Sequence, residues 1–429
     1  MTSSLRLLRH RDFRLLFLGQ SASNLGDQLV IVALALYVTR RTGSATDLGI
    51  VLASQSLPLI ALVLVGGVWA DRLARHRIMV IADAARALLH AVLAASIFAG
   101  GATIVELIVI EALFGAARAF FQPAYSGLLP QTVPEAQLQD AQALTSTTAN
   151  LAILAGPALG AAIVLTVGAG WAFAVDSMTF VVSAALLVRL APRRPASAGG
   201  RRSLAPELRA GWREVRARPW VWATIGAFTG AVLCAYAPWF TLAPSVAAAH
   251  YGGAAVFGLL ESVSGGGALL GAVVAMSWRP RRPIAIGIAL VLLWPAQSLA
   301  FAVLAPIVAV GALAFAAGFA FSVFEVWWQT ALARRIPAHA LSRVSSFDWM
   351  GSLALLPLGF ALAGPAAAAL GARTVLAAGA GITVVLLLAA LMPAATEVAE
   401  EVTGGSSAPV PGARAPADAQ PSSSATRSR

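Results

Sequence analysis

Ionisable residues within long apolar runs are the first candidates for chemistry in this sequence. Asp27 lies about 12 residues, or roughly 18 Å along a helix, into the first such run. A carboxylate at that depth of a bilayer is costly unless it faces water or a partner, and it can bind and release a proton. We therefore predict that Asp27 is a proton or cation site. The alternative is a structural hydrogen-bond acceptor that joins neighbouring helices through Asn24 or Gln28.

Glu111 and Arg118 lie seven residues apart in one apolar run. Seven residues are about two helical turns, so we predict that both side chains share a face and line a cavity. Arg118 could couple the protonation of Asp27 or Glu111 to substrate binding. It could equally be paired with a carboxylate only to make its own burial tolerable.

Glu325 adjoins Trp327 and Trp328 in another apolar run. An acidic and aromatic neighbourhood of this kind can hold a cationic or aromatic ligand. For the two tryptophans we favour the plainer interpretation, in which they anchor their helix among the lipid headgroups. Glu325 therefore stays a candidate substrate or proton-coupling residue.

Three other charged residues in apolar runs receive structural interpretations. Asp83 and Arg86 are three residues apart, which predicts a local ion pair along one helix. Asp176 lies close to the outer end of its run and is expected to reach water.

The composition of the chain is that of a membrane protein. Of its 429 residues, 59% are hydrophobic and 11% are charged, whereas soluble domains carry roughly 25% charged residues. The net charge of +11 could suggest a nucleic-acid partner, but membrane topology explains the positions of the arginines. The single cysteine and the lack of a phosphate-binding loop, nucleophile elbow or H-E-x-x-H motif predict no enzyme, metal or cofactor.

The apolar runs predict twelve transmembrane helices, because about 20 apolar residues are needed to cross the hydrocarbon and open strands cannot satisfy their backbone there. With the amino terminus placed inside, 25 arginines fall in inside segments and three fall outside. This bias predicts a multi-pass protein of the plasma membrane with both termini in the cytoplasm. The predicted spans are residues 15–38, 47–70, 78–100, 103–125, 142–167, 170–190, 219–243, 254–277, 284–304, 307–331, 345–369 and 372–392.

These spans form two groups of six that repeat in sequence. Gly115 in the fourth span corresponds to Gly318 in the tenth at an offset of 203 residues. Two related six-helix halves with a site between them are typical of transporters. The predicted parts are an N-terminal half at 1–190, a cytoplasmic linker at 191–218, a C-terminal half at 219–392 and a disordered cytoplasmic tail at 393–429.

A short basic loop joins the second and third spans, with the pattern Gly67-x3-Asp71-Arg72-x2-Arg75-x-Arg77. This ordered set resembles the signature loop of the major facilitator superfamily. The resemblance implies an all-α integral membrane fold of twelve helices in two pseudo-symmetric halves. We interpret Gly67, Asp71, Arg72 and Arg75 as a conformational latch, in which the start of the eleventh span attracts Asp71 in one state only.

Gly156-Pro157-x2-Gly160 in the fifth span resembles a motif of the exporter branches of that superfamily. Proline removes one helix hydrogen bond and the glycines allow close approach, so a bent and tightly docked helix is expected. Arg118 matches a membrane-buried arginine of many members. The stretches that resemble a bacterial exporter subgroup, which includes siderophore and macrolide efflux proteins, are Asn24-Leu25-Gly26-Asp27, Gln122-Pro123-Ala124-Tyr125 and Leu341-Ser342-Arg343-Val344-Ser345-Ser346.

The resemblance implies a secondary active transporter, and we predict proton-coupled export of small amphipathic compounds, drug-like or siderophore-like, by alternating access. The expected partners are a small-molecule substrate, protons and the lipid bilayer, with no nucleic acid and a monomeric chain. Two alternatives remain open. The chain could import a nutrient or metabolite, or it could be a non-transporting membrane receptor or scaffold.

Overall fold

The computed structural model describes residues 7–134, 137–191, 209, 212–278, 280–336, 344–345, 347–348, 350–351 and 353–395. Throughout these residues the regular secondary structure is helical, and no strand occurs among them. A short 3-10 turn, Leu7–Arg9, precedes the first long helix. The helices are α1 (Arg11–Thr42), α2 (Ala45–Arg72), α3 (Arg75–Phe98), α4 (Ile104–Leu128), α5 (Leu138–Thr166), α6 (Ala169–Leu187), α7 (Pro219–His250), α8 (Ala255–Ser277), α9 (Pro283–Ala302), α10 (Ile307–Arg335), α11 (Leu356–Leu370) and α12 (Ala372–Ala395).

Ten of these helices, counted over the described residues, are long and apolar enough to cross a membrane. The other two are α4, which is 25 residues long and carries three charged side chains, and the shorter apolar helix α11. Helix α7 contains a π-helical turn at Val232–Tyr236. The predicted fold class, an all-α integral membrane protein, is confirmed.

Tight turns join the helices at the end of the molecule away from the termini. Gly43 ends α1 with a φ of 65°, and Ser44 then caps α2 by accepting a hydrogen bond from the Asp47 amide. Thr103 and Glu106 form a capping box at the start of α4. We call this end the turn end. The opposite end, where both described termini and the arginine-rich connections lie, is called the basic end.

The two halves have the same helix packing at two corresponding glycines. A Cβ atom on Gly115 of α4 would overlap the Gln55 carbonyl of α2, and one on Gly318 of α10 would overlap the Ser264 carbonyl of α8. The same close approach of backbones therefore occurs between the second and fourth helices of each half. The correspondence of Gly115 with Gly318 in the sequence reflects this shared packing.

The buried core is continuous across both halves only at the turn end. One cluster there joins Val32 and Leu52 of the first half to Trp239, Leu260 and Phe360 of the second. At the basic end each half has its own core. Phe13 and Leu187 belong to the core of the first half, and Trp220 and Leu387 belong to that of the second. Among the described residues, the halves thus share one core at the turn end and have separate cores at the basic end.

Most of the predicted linker and tail lies outside the described residues, at 192–208 and 396–429. Their extents and the predicted disorder of the tail therefore stay predictions. Of the linker's second part, residues 212–216 are helical.

Candidate functional site in the first half

Six ionisable side chains meet inside the first helical half. They come from four helices, and at most 2% of the Asp83, Arg86, His90, Glu111 or Asp176 surface is exposed. Asp27 is the most open member, with 15% of its side chain exposed. We call this set the charge cluster. It consists of Asp27 of α1, Asp83, Arg86 and His90 of α3, Glu111 of α4 and Asp176 of α6.

Close helix packing brings these residues together. Asp83, Arg86 and His90 share one face of α3, because they are spaced by three and four residues. A Cβ atom on Gly26 would overlap Asp176 Oδ1, so α6 approaches α1 directly beside Asp27. The glycine at position 26 therefore lets a carboxylate of α6 lie next to a carboxylate of α1.

Arg86 occupies the part of the cluster nearest Asp27. Its Nη2 donates to Asp83 Oδ1, and its Nη1 lies 4.0 Å from Asp27 Oδ2. The guanidinium also lies over the rings of Phe121 and Phe180, at 4.3 and 4.2 Å from their centroids. The predicted pair of Asp83 and Arg86 is confirmed, and Arg86 additionally neutralises part of the charge of Asp27.

His90 occupies the deeper part of the cluster. Its Nδ1 is hydrogen-bonded to Asp176 Oδ2 at 2.5 Å, and its ring stacks on Phe114 at 4.2 Å. Its Nε2 lies 3.8 Å from Glu111 Oε1, and neither of these two atoms has a hydrogen-bond partner among the described residues. The other carboxylate oxygen of Glu111 accepts a hydrogen bond from Gln55 Nε2 at 2.8 Å.

The cluster contains more acids than bases. Four carboxylates face one guanidinium and one imidazole, so full ionisation would leave at least two uncompensated negative charges inside the membrane. An uncompensated buried ion costs several kcal/mol, and a buried carboxyl avoids that cost by binding a proton. Over the described part of the chain, no group of three or more His, Cys, Asp and Glu residues is arranged for a metal ion. The cluster is therefore suited to reversible proton binding.

Arg118 does not join the charge cluster. It interacts electrostatically with Tyr236 of α7, as does Glu261 of α8, so it faces the second half of the protein. Glu111 is completely buried, and the prediction that it lines a cavity together with Arg118 is wrong. The two residues share a helix face, but about 10.5 Å of helix separates them. Over that distance the same face passes from the core of the first half, at Glu111, to the neighbourhood of Tyr236 in the second half, at Arg118.

Aromatic side chains of the second half surround Tyr236. Its ring centroid lies 4.7 Å from that of Phe240 and 6.2 Å from that of Trp294, and 37% of its surface is exposed. Nearby, Trp239 Nε1 donates to Glu261 Oε1 at 2.7 Å. One arginine of α4 therefore lies near acidic and aromatic groups of α7 and α8, where the first half faces the second.

Glu325 lies on an exposed part of α10 and accepts a hydrogen bond from Gln329 Nε2 at 3.0 Å. The neighbouring tryptophans are buried, with 5% of Trp327 and 2% of Trp328 exposed. Trp327 donates to the Trp278 carbonyl and Trp328 donates to Asp348 Oδ2. Their predicted position among the headgroups is wrong, because their indole N–H groups find acceptors within the second half.

The Gly156-Pro157-Gly160 stretch lies where α5 crosses α1. A Cβ atom on Gly156 would lie 2.5 Å from that of Gln28, and one on Gly160 would overlap the Leu29 carbonyl. On its other side, the Pro157 carbonyl lies 3.2 Å from the Cβ position of Gly258 in α8. The stretch thus packs between the helix that carries Asp27 and a helix of the opposite half.

The latch residues are described only in part. The α2 backbone continues through Arg72, but the side chains of Gly67, Asp71 and Arg72 lie outside the described set, as does Arg343. Arg75 Nη1 donates to the Gly127 carbonyl at 2.6 Å, which ties the start of α3 to the end of α4. The roles proposed for these residues stay predictions.

His90 is a site residue that was not predicted from the sequence, and Asp176 lies elsewhere than predicted. Asp176 is completely buried, and the expectation that it reaches water is wrong, because His90 of α3 provides its partner. A signal was available for His90. It lies in the middle of an apolar run, four residues after Arg86 and seven after Asp83, and so shares their helix face.

Ten apolar helices of membrane length among the described residues, two halves with repeated glycine packing and a buried charge cluster are typical of integral membrane transporters. Residues 16–352 match the sequence profile of the Major Facilitator Superfamily, and the chain belongs to this family.

Curated relatives include efflux proteins. The chain is 27% identical over 388 residues to the multidrug efflux pump Tap of Mycobacterium tuberculosis, covering 87% of this chain and 91% of Tap. It is 31% identical over 175 residues to the uncharacterized MFS-type transporter YfiS of Bacillus subtilis, a match that spans only 40% of either chain. It is also 27% identical over 149 residues to macrolide efflux protein A of Streptococcus pyogenes, or 35% of this chain and 37% of that one.

Solved structures share the fold at low sequence identity. A bacterial homologue of the human lysosomal transporter Spinster, in an inward-facing and unoccupied conformation, aligns with a TM-score of 0.68 and 17% identity, covering 91% of this chain and 98% of the other. The nucleoside transporter NupG aligns with a TM-score of 0.72 and 13% identity, covering 89% and 99%.

Proposed function

We propose that this transporter exports small amphipathic compounds from the cytoplasm across the plasma membrane in exchange for protons. The observation that carries the proposal is the excess of carboxylates in the charge cluster, with only Asp27 partly open. Proton entry from outside would neutralise Asp27 and let the halves change their packing. Proton release inside would restore the charge and the state that loads substrate.

The unequal packing of the two halves supports loading from the cytoplasm. The halves share one core at the turn end and have separate cores at the basic end. Twenty-five arginines lie in segments assigned to the basic end, which favours a cytoplasmic position for that end and for both termini. Both features support an inward-facing state for the proposed exporter.

The side chains around Tyr236 support an amphipathic and preferably cationic substrate. Tyr236, Phe240 and Trp294 offer aromatic faces, and Glu261 lies beside them. Aromatic faces attract organic cations, and a nearby carboxylate adds to that attraction. The efflux relatives Tap and macrolide efflux protein A support the direction of transport.

Reconstitution of the Asp27→Asn variant tests the proposal. Wild-type proteoliposomes under an imposed pH gradient are expected to accumulate ethidium, a lipophilic cation, against its own gradient. Asparagine cannot exchange a proton, so Asp27→Asn is expected to lose gradient-driven accumulation while still equilibrating the dye. Asp140→Asn, at an exposed carboxylate near the start of α5, serves as the matched control and should transport normally.

Two results would contradict the proposal. Accumulation by Asp27→Asn equal to that of wild type would exclude Asp27 as the coupling residue. Wild-type uptake that is indifferent to the pH gradient over a panel of lipophilic cations would exclude proton-coupled export of this substrate class.

A further inference from the structure

A groove of about 680 Å³ lies at the basic end of the second half, and its described lining includes no residue of the charge cluster. Its walls are helical segment 212–216 of the linker, the start of α7, and the described residues Phe347, Met350, Gly351 and Ala354 that precede α11. Trp212, Trp222, Phe347 and Met350 line it, and Arg216 is the one charged residue among its described lining residues. The groove is thus almost wholly apolar with a single cation.

The surface next to the groove is strongly basic. Arg209, Arg213 and Arg216 are all exposed along the same linker segment. The acidic residue of this segment, Glu214, is already paired with Arg218 at 2.7 Å. A ligand that combines an apolar body with an anionic head would match both the apolar groove and the basic surface beside it.

The position of the groove matches the level of the lipid headgroups. It lies where α7 begins and where the linker leaves the bundle, so it is at the boundary between hydrocarbon and water. Trp212 and Trp222 are 52% and 49% exposed, and tryptophan rings with one wet and one apolar side are typical of that boundary.

We propose that this groove is a binding site for an anionic phospholipid. One acyl chain lies against Trp222, Phe347 and Met350, and the phosphate is held by Arg216 with help from Arg213 and Arg209. The bound lipid ties the linker segment to the start of α7. This site is independent of what the protein transports.

Gly226 allows the groove to be filled with little damage to the helix. A Cβ atom at this position meets nothing within 4 Å, and leucine is a better helix former than glycine. Gly226→Leu therefore places a side chain where the acyl chain would lie. Gly381→Leu is the matched control, since its Cβ position on α12 is equally open. Arg216→Gln removes the cation, with Arg40→Gln at the turn end as its control.

Native mass spectrometry of the full chain, titrated with phosphatidylglycerol or phosphatidylcholine, tests the site. Wild type and both controls are expected to retain one phosphatidylglycerol in preference to phosphatidylcholine. Gly226→Leu should lose this tight site, and Arg216→Gln should weaken phosphatidylglycerol binding about fivefold without changing phosphatidylcholine binding.

Equal retention of the two lipids by wild type, or unchanged phosphatidylglycerol binding by Arg216→Gln, would overturn the proposal. If Gly226→Leu is unstable, the Arg216→Gln measurement alone still tests whether the groove binds an anionic phospholipid. The groove could instead hold the transported compound. In that case wild type would bind ethidium, Gly226→Leu would not, and neither lipid would be preferred. This result would also overturn the proposal.

Discussion

His90 joins α3, α4 and α6 through its two ring nitrogens and its ring face. It is bonded to Asp176, faces Glu111 and stacks on Phe114. Arg86 carries a fixed charge, whereas an imidazole can be neutral or charged near neutral pH. At the level of single residues, His90 therefore adds a second kind of proton-binding group to the carboxyls of the charge cluster.

Replacement of His90 by Gln should destabilise the protein by about 3–5 kcal/mol, because Asp176 is left as an unpaired buried carboxylate. The double variant His90→Gln, Asp176→Asn should recover most of that loss, since a neutral amide pair replaces an uncompensated charge. Chemical denaturation in detergent at pH 7 measures both effects. The loss should shrink at acidic pH, where Asp176 can bind a proton.

His250→Gln is the control for this prediction, because His250 is exposed at the end of α7. Equal stability of His90→Gln and His250→Gln would mean that the bond between His90 and Asp176 contributes nothing to the free energy of unfolding. Failure of the double variant to recover would mean that the imidazole matters through its shape rather than its charge.

At the element scale, glycines set how closely the helices approach. Gly26, Gly115, Gly156 and Gly160 each lie where a side chain would strike a neighbouring helix. In lipid no hydrophobic force holds helices together, so close van der Waals contact of backbones carries much of the stability. The same contacts fix Asp27 against α5 and α6, which couples its surroundings to the packing of two other helices.

Gly160→Val is expected to destabilise the protein by about 1–3 kcal/mol, because the new side chain meets the Leu29 carbonyl two residues beyond Asp27. Thermal unfolding in detergent measures the change. Gly311→Val is the matched control, since a Cβ atom at Gly311 meets nothing within 4 Å. Similar melting temperatures for the two variants would show that α5 and α1 are not tightly docked at this point.

At the scale of the whole molecule, the shared core at the turn end holds the two halves in one relative orientation. Ala161 of α5 and Gly258 of α8 approach there, with 2.9 Å between the Ala161 Cβ and the Cβ position of Gly258. The proposed alternating access requires this contact to break.

A disulfide between Ala161→Cys and Gly258→Cys, made in a Cys234→Ala background, is expected to lock the turn end and stop transport. The Cβ atoms need to separate by only about 1 Å to reach ordinary disulfide geometry. Oxidation should arrest dye accumulation in proteoliposomes, and a reductant should restore it. Each single-cysteine variant is the control. Undiminished transport by the fully cross-linked protein would show that the turn end does not open.

The orientation of the molecule can be tested with single cysteines in the same Cys234→Ala background. Arg40→Cys, near the turn end, should react with an impermeant maleimide added to intact cells. Arg9→Cys, at the basic end, should react only after the membrane is permeabilised. The reverse pattern would place both termini outside and would turn the proposed exporter into an importer.

The helical membrane fold, the two halves and the family could be predicted from the sequence, because they depend on the lengths of apolar runs and on local motifs. The sequence also identified Asp27 and Glu111 as intramembrane acids. It could not predict that His90 would meet Asp176, 86 residues away. Membrane helices are apolar all round, so hydrophobic periodicity does not reveal which face meets which neighbour. Only the tertiary structure fixed the rotation of α3, α4 and α6, which buried Glu111 and turned Arg118 towards the other half.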